Sequence, residues 1–100
     1  MHEPAEIVEI KARLAAHRSE LSRMHVRTLK IFGSRARGEA KPESDLDMIA
    51  EFSEPVGFFE LFEVEKCLSD LLGRRVELTT PGGLHPALKF RILKDAVVVA

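Results

Sequence analysis

Two rhythms of apolar and polar residues run along this chain, and they predict an alternation of helices and strands. From Pro4 to about Met24, Ile7, Ile10, Leu14 and Leu21 recur between Glu, Lys and Arg, the spacing of an amphipathic helix. Val26 to Phe32 has the β-branched, alternating character of a strand, which Gly33-Ser34 ends abruptly. Ser34-Arg35-Ala36-Arg37 can then form a short helical turn closed by Gly38, and Lys41-Pro42-Glu43-Ser44 reads as a turn. Asp45 to Phe52 is a second strand with Leu46, Met48, Ala50 and Phe52 on one face. Asp45 and Asp47 therefore share the other face, because side chains two apart in a strand point the same way.

After Pro55 and Gly57, helical spacing returns from Phe58 to Leu72 through Phe58, Leu61, Phe62, Leu68 and Leu72, with Gly73 as its C-cap. The cluster Phe58, Phe59 and Phe62 is expected mainly in the core, with Phe59 the one left over for a partner. Arg74 to Thr80 predicts a third strand, closed by Pro81-Gly82-Gly83. A last helix should begin near Pro86, with Leu88, Ile92 and Leu93 inward, before the apolar tail Val97-Val98-Val99, a possible fourth strand. The fold class is thus α/β (α+β): a small mixed sheet of three to four strands with helices packed on it, in one domain spanning residues 1–100.

Composition narrows the partners. Hydrophobic residues at 45% and charged residues at 31% fit a folded chain, and the absence of any long apolar run argues against a membrane span and for a cytoplasmic protein. A net charge of -1 offers no general attraction for a nucleic-acid backbone, so phosphate recognition has to be local. The single cysteine, Cys67, excludes an internal disulfide and is expected in the core, while His2, His17, His25 and His85 are too dispersed for a metal site. His85, beside Pro86, suits a helix start.

The chemistry concentrates around the first two strands. Two carboxylates held together repel each other, and a divalent cation relieves that repulsion; all-oxygen ligands favour Mg2+, or Mn2+, over zinc. Asp45 and Asp47 are the candidate metal ligands. A metal bound by few protein groups leaves positions for phosphate oxygens, and Gly33 and Ser34 can grip a phosphate through backbone N–H groups and a hydroxyl. Lys30, Arg35, Arg37 and Lys41 surround that turn with positive charge, although Arg35 and Arg37, two apart, cannot both point the same way on a short helix. In-line attack at an α-phosphorus, with two metal ions, is the reaction such a site suits. A third carboxylate is usually needed, and Glu77, between Val76 and Leu78 on the next strand, can face the same surface as Asp45 and Asp47.

Gly33-Ser34, ten intervening residues and Asp45-Leu46-Asp47 resemble the signature of the minimal nucleotidyltransferases in the DNA polymerase beta-like superfamily. Phe32 to Gly38, Ser44 to Asp47, Val76-Glu77-Leu78 and Leu84-His85-Pro86 extend the resemblance over most of the chain. It implies a nucleotidyltransferase fold, with Gly33 and Ser34 binding the triphosphate of ATP and Asp45 and Asp47 binding both metal ions; Arg35, Arg37 and Ser44 are the further candidates for nucleotide contact and Glu77 for the third catalytic metal ligand. The family commonly has aspartate where Glu77 stands, one methylene shorter. Small members of the family resembled are often antitoxins of HEPN-domain RNase toxins. That implies transfer of AMP to a tyrosine of such a partner, as in a type VII-like toxin-antitoxin pair, and an oligomer with itself or its partner. The chain has no tyrosine of its own, which is compatible with an acceptor supplied in trans. Two other readings remain open at this level: an antitoxin or scaffold that neutralises its partner by binding alone, and nucleotidyl transfer to a small molecule such as an aminoglycoside.

Overall fold

The structure is a computed structural model, and it describes residues 5–33 and 45–100. The predicted short helical turn after Gly33 and the Lys41–Ser44 turn lie outside the described residues. In chain order the elements are helices α1 (Ala5–Ala16) and α2 (Arg18–Arg23), strands β1 (Val26–Phe32) and β2 (Leu46–Phe52), helix α3 (Phe58–Leu72), strand β3 (Val76–Thr79), helix α4 (Pro86–Asp95) and strand β4 (Val97–Val98). They form a mixed α/β fold around a four-stranded sheet of order β3-β2-β1-β4. β1 runs antiparallel to both β2 and β4, whereas β2 and β3 are parallel, the crossover between them being α3.

One face of the sheet carries the core. Leu29 and Ile31 of β1 and Leu46, Met48 and Ala50 of β2 are fully buried there against Ile7, Ile10 and Leu14 of α1 and Val64, Leu68 and Leu72 of α3. The alternation of β2 is what makes this possible: every second residue is apolar, and all of those turn inward.

The structure corrects the sequence expectations at several points, one of them being that β2 begins at Leu46, so that Asp45 precedes the strand instead of opening it. The first helix is two: at His17 the backbone leaves helical geometry (φ -115°, ψ 24°), and the His17 N–H bonds back three residues to the Leu14 carbonyl. Leu14 and Leu21 nevertheless both reach the core, since seven residues bring the chain back to the same side. β3 begins at Val76 rather than Arg74, because the N–H groups of Gly73 and Arg74 are spent on the Ser69 carbonyl in ending α3 around the left-handed Gly73 (φ 64°). Leu88 is exposed, with only Ile92 and Leu93 of α4 half-buried against the rest. Phe58, Phe59 and Phe62 are exposed as well: the inward line of α3 runs Leu61, Val64, Leu68, Leu72, and the three rings stand to one side of it. Cys67 is half-buried, and burial, followed by the charges of Glu20 and Asp70, pushes its thiol pKa up, so it is no reactive thiolate.

β3 is an edge strand whose outward N–H groups do not face solvent unpaired. The Val76 N–H donates to Ser69 Oγ at 3.1 Å and the Leu78 N–H to Glu65 Oε2 at 2.8 Å. Side chains of α3 thus take the place of a further strand, which both blunts the edge and fixes β3 on the helix. Among the described residues no helix is long and apolar enough to cross a membrane.

Candidate active site

The face of the sheet opposite the core is where β1, β2 and β3 place their charged residues. Period-two alternation sends Lys30 and Phe32 of β1, Asp47 and Glu51 of β2 and Glu77 of β3 to that side. Asp47 is at the centre. It is the register partner of Phe32 across the antiparallel pair and of Glu77 across the parallel one. The sequence interval between these residues is long, and sheet registry alone brings them side by side.

Gly33 closes the same site from the end of β1. Its backbone is left-handed (φ 75°), a conformation that costs a residue with a side chain about 1–2 kcal/mol. A methyl group on its Cα would also lie 2.8 Å from Asp47 Oδ2. Glycine is required here twice over, by conformation and by the carboxylate pressed against it. Lys30 Nζ is 3.7 Å from Glu51 Oε1, so the lysine expected near the phosphate turn is engaged on its own strand pair.

The carboxylates perturb one another. Burial raises the pKa of Asp47, and the charge of Asp45 raises it further, while a hydrogen bond from Glu77 pulls in the other direction. Glu77, itself exposed, is raised first by the negative charge of Asp47 and then by that of Asp45, and it stands within hydrogen-bond reach of both. Arg75 Nε lies 3.8 Å from Asp45 Oδ2 and supplies the nearby positive charge. Asp47, Glu77 and Arg75 border an open cleft of about 390 Å³ together with Phe32 and Glu65.

The structure therefore brings together Gly33, Asp45, Asp47 and Glu77, while Ser34, Arg35, Arg37 and Ser44 lie outside the described residues. Among the described residues no three carboxylate, histidine or cysteine side chains already form a metal cage. The donor set nevertheless suits a hard divalent cation with open positions: oxygen ligands only, like-charged, and with the carboxyl pKa values of Asp47 and Glu77 raised by burial and mutual repulsion. Glu65 escaped the sequence reading. Its signal was position, since a glutamate three residues before Leu68 lies one stripe from the core line of α3, but its target, the β3 edge, is a tertiary feature.

A mixed sheet with one face closed by helices and the other bearing clustered carboxylates beside a glycine turn is the layout of a phosphate-handling α/β enzyme. Residues 14–99 match the family model of the nucleotidyltransferase domain, and the chain belongs to that family. Protein adenylyltransferase MntA of Thermococcus cleftensis is 39% identical over 92 residues, covering 91% of this chain and 93% of the relative. A Methanocaldococcus jannaschii protein provisionally named as a protein adenylyltransferase is 40% identical over 93 residues, covering 91% and 95% of the two chains. Among solved structures, one provisionally named as a minimal nucleotidyltransferase superimposes with a TM-score of 0.76 at 34% identity, covering 91% of this chain and 93% of that one. The MNT antitoxin complex with tri-AMPylated HEPN toxin from Shewanella oneidensis shares the fold at a TM-score of 0.64 and 13% identity, with coverage of 91% and 71%.

Proposed function

We propose that this nucleotidyltransferase is a one-domain enzyme that transfers AMP from ATP to a hydroxyl of a partner protein, a tyrosine of a HEPN-fold toxin, and so serves as an antitoxin. The observation that carries the reading is the register Phe32–Asp47–Glu77, which sets like-charged oxygen donors side by side next to a glycine that no other residue can replace without strain. Support for a protein acceptor comes from relatives at about 40% identity that bear the name protein adenylyltransferase. The HEPN partner is suggested by the Shewanella oneidensis complex.

In this reading Asp45, Asp47 and Glu77 hold Mg2+, which when bound neutralises phosphate charge and polarises the α-phosphorus. Gly33 leaves room for a phosphate to approach the backbone, and Ser34, Arg35, Arg37 and Ser44 complete the triphosphate grip. The acceptor oxygen forms a bond to the α-phosphorus as the bond to the bridging oxygen breaks. Pyrophosphate leaves with the electron pair, and the hydroxyl proton passes to the Glu77 carboxylate.

The test is to incubate the chain with ATP, Mg2+ and a HEPN-fold candidate partner protein, and to measure the partner's intact mass. The expected result is an increment of one or more AMP groups that Asp45→Asn/Asp47→Asn abolishes. If the double substitution removes the increment yet the partner stays neutralised, occlusion by binding is the antitoxic act and transfer is incidental. A folded chain that binds ATP and leaves the partner's mass unchanged refutes the reading.

A further inference from the structure

Two arginines stand side by side between α3 and β3, and the fold uses them differently. Arg74 is half-buried and engaged: its Nη1 lies 2.9 Å from Glu6 Oε2 of α1, and its Nε donates to the Leu72 carbonyl. Arg75 keeps a side chain that is 79% exposed, with Nε 3.8 Å from Asp45 Oδ2, too far for a hydrogen bond. Its backbone, by contrast, is fixed, because the Arg75 carbonyl accepts the Leu46 N–H at 2.9 Å and is thereby tied to the start of β2. A pinned backbone carrying a loosely held guanidinium is a side chain able to change partners.

Charge limits which partners those are. Among the described residues that border the cleft of Asp47 and Glu77, Arg75 is the one cation. Lys30, on the same face of the sheet, is taken up by Glu51 at 3.7 Å. A guanidinium beside Asp45 competes for a carboxylate that the metal reading also needs, since two cations drawn to one carboxylate repel each other. Parting from Asp45 costs Arg75 little, because an exposed ion pair at this separation is weak. Sheet order supplies the new partner. Gly33, Asp47 and Glu77 belong to β1, β2 and β3 in turn, so a triphosphate gripped at Gly33 has its α-phosphate over β2, within the span that Arg75 crosses from the β3 end toward Asp45.

Resting on the transfer reading above, we infer that Arg75 is a phosphate-binding catalytic residue held in reserve on Asp45: its guanidinium yields that carboxylate to the divalent cation and closes on the α-phosphate of the nucleotide. There it stabilises the charge that spreads over the phosphoryl oxygens during transfer, a task suited to a planar, permanently charged donor.

Two readouts test this on the full chain: Mn2+ titration without nucleotide, followed by electron paramagnetic resonance, and AMP transfer to a HEPN-fold candidate partner protein. Arg75→Ala should bind Mn2+ several-fold more tightly, because a positive charge beside the ligands is gone, and yet transfer AMP about 10²-fold more slowly. Arg75→Lys keeps the charge, so it should hold the parent's Mn2+ affinity and recover only part of the rate. Arg74→Ala should lower the melting temperature and leave Mn2+ affinity as it is. A merely structural role for Arg75 would not move the two readouts in opposite directions. Unchanged or weaker Mn2+ binding in Arg75→Ala overturns the exchange, and an undiminished rate overturns the phosphate contact. If the parent binds Mn2+ and ATP but labels no partner, the transfer reading falls and the role of Arg75 falls with it.

Discussion

The two faces of β2 are made from alternating residues of one seven-residue strand, yet they obey opposite rules. On one side Leu46, Met48 and Ala50 are sealed against α1 and α3. On the other, Asp47 stands next to Glu77 and near Asp45, groups that destabilise one another as long as no cation joins them. The difference shows that the closed face provides the stability that lets the open face hold repelling charges in place. Ile49 refines the contrast: it lies on the Asp47 side and is still only 1% exposed, so the open face carries one buried apolar residue between Asp47 and Glu51.

The largest effect should come from the closed face. Met48→Ala removes a fully buried side chain and should cost about 2–5 kcal/mol, read as a lower denaturation midpoint with activity lost only as the protein unfolds. Asp47→Asn should do the reverse, cutting AMP transfer by about 10²-fold or more while leaving the metal-free protein at least as stable. An Asp47→Asn variant that melts well below the parent would erase the distinction between the faces.

Next in size is Gly33→Ala, which combines about 1–2 kcal/mol of left-handed strain with displacement of the Asp47 carboxylate. Its activity should fall further than its stability, and circular-dichroism melts alongside turnover separate the two. Ser69→Ala leaves the Val76 N–H without its partner and should cost about 1 kcal/mol, with activity little changed because Glu77 keeps its register.

The smallest effect is the pH dependence. Asp47 and Glu77 have folded-state pKa values raised above 3.8 and 4.5, so folding favours their protonated forms. Their favourable contribution is complete below those ordinary values and is lost as pH rises through the folded values. The metal-free parent should therefore lose more melting temperature than Asp47→Asn between mildly acidic and neutral pH, and Mg2+ should restore it at neutral pH. Equal losses for parent and variant would mean the carboxylates are not coupled.

Much of this protein was determined by the sequence alone. The strand over Val26–Phe32, the helix over Phe58–Leu72 and the common face of Leu46, Met48 and Ala50 follow from residue spacing, because backbone geometry sets which side chains share a side. So does the placing of Asp47 on the face opposite Leu46, Met48 and Ala50, a local consequence of period two, whereas Asp45 precedes the strand and meets Asp47 and Glu77 only in the fold. The tertiary structure alone decided what those elements meet: that β3 pairs in parallel with β2 so that Glu77 is level with Asp47, that Gly33 is pressed on the Asp47 carboxylate, and that Glu65 secures the β3 edge. It also decided that Phe58, Phe59 and Phe62 stay in water, since their hydrophobicity records only a preference for burial. Which apolar residues obtain it depends on the number of faces available, and the core side of α3 was already filled by Leu61, Val64, Leu68 and Leu72.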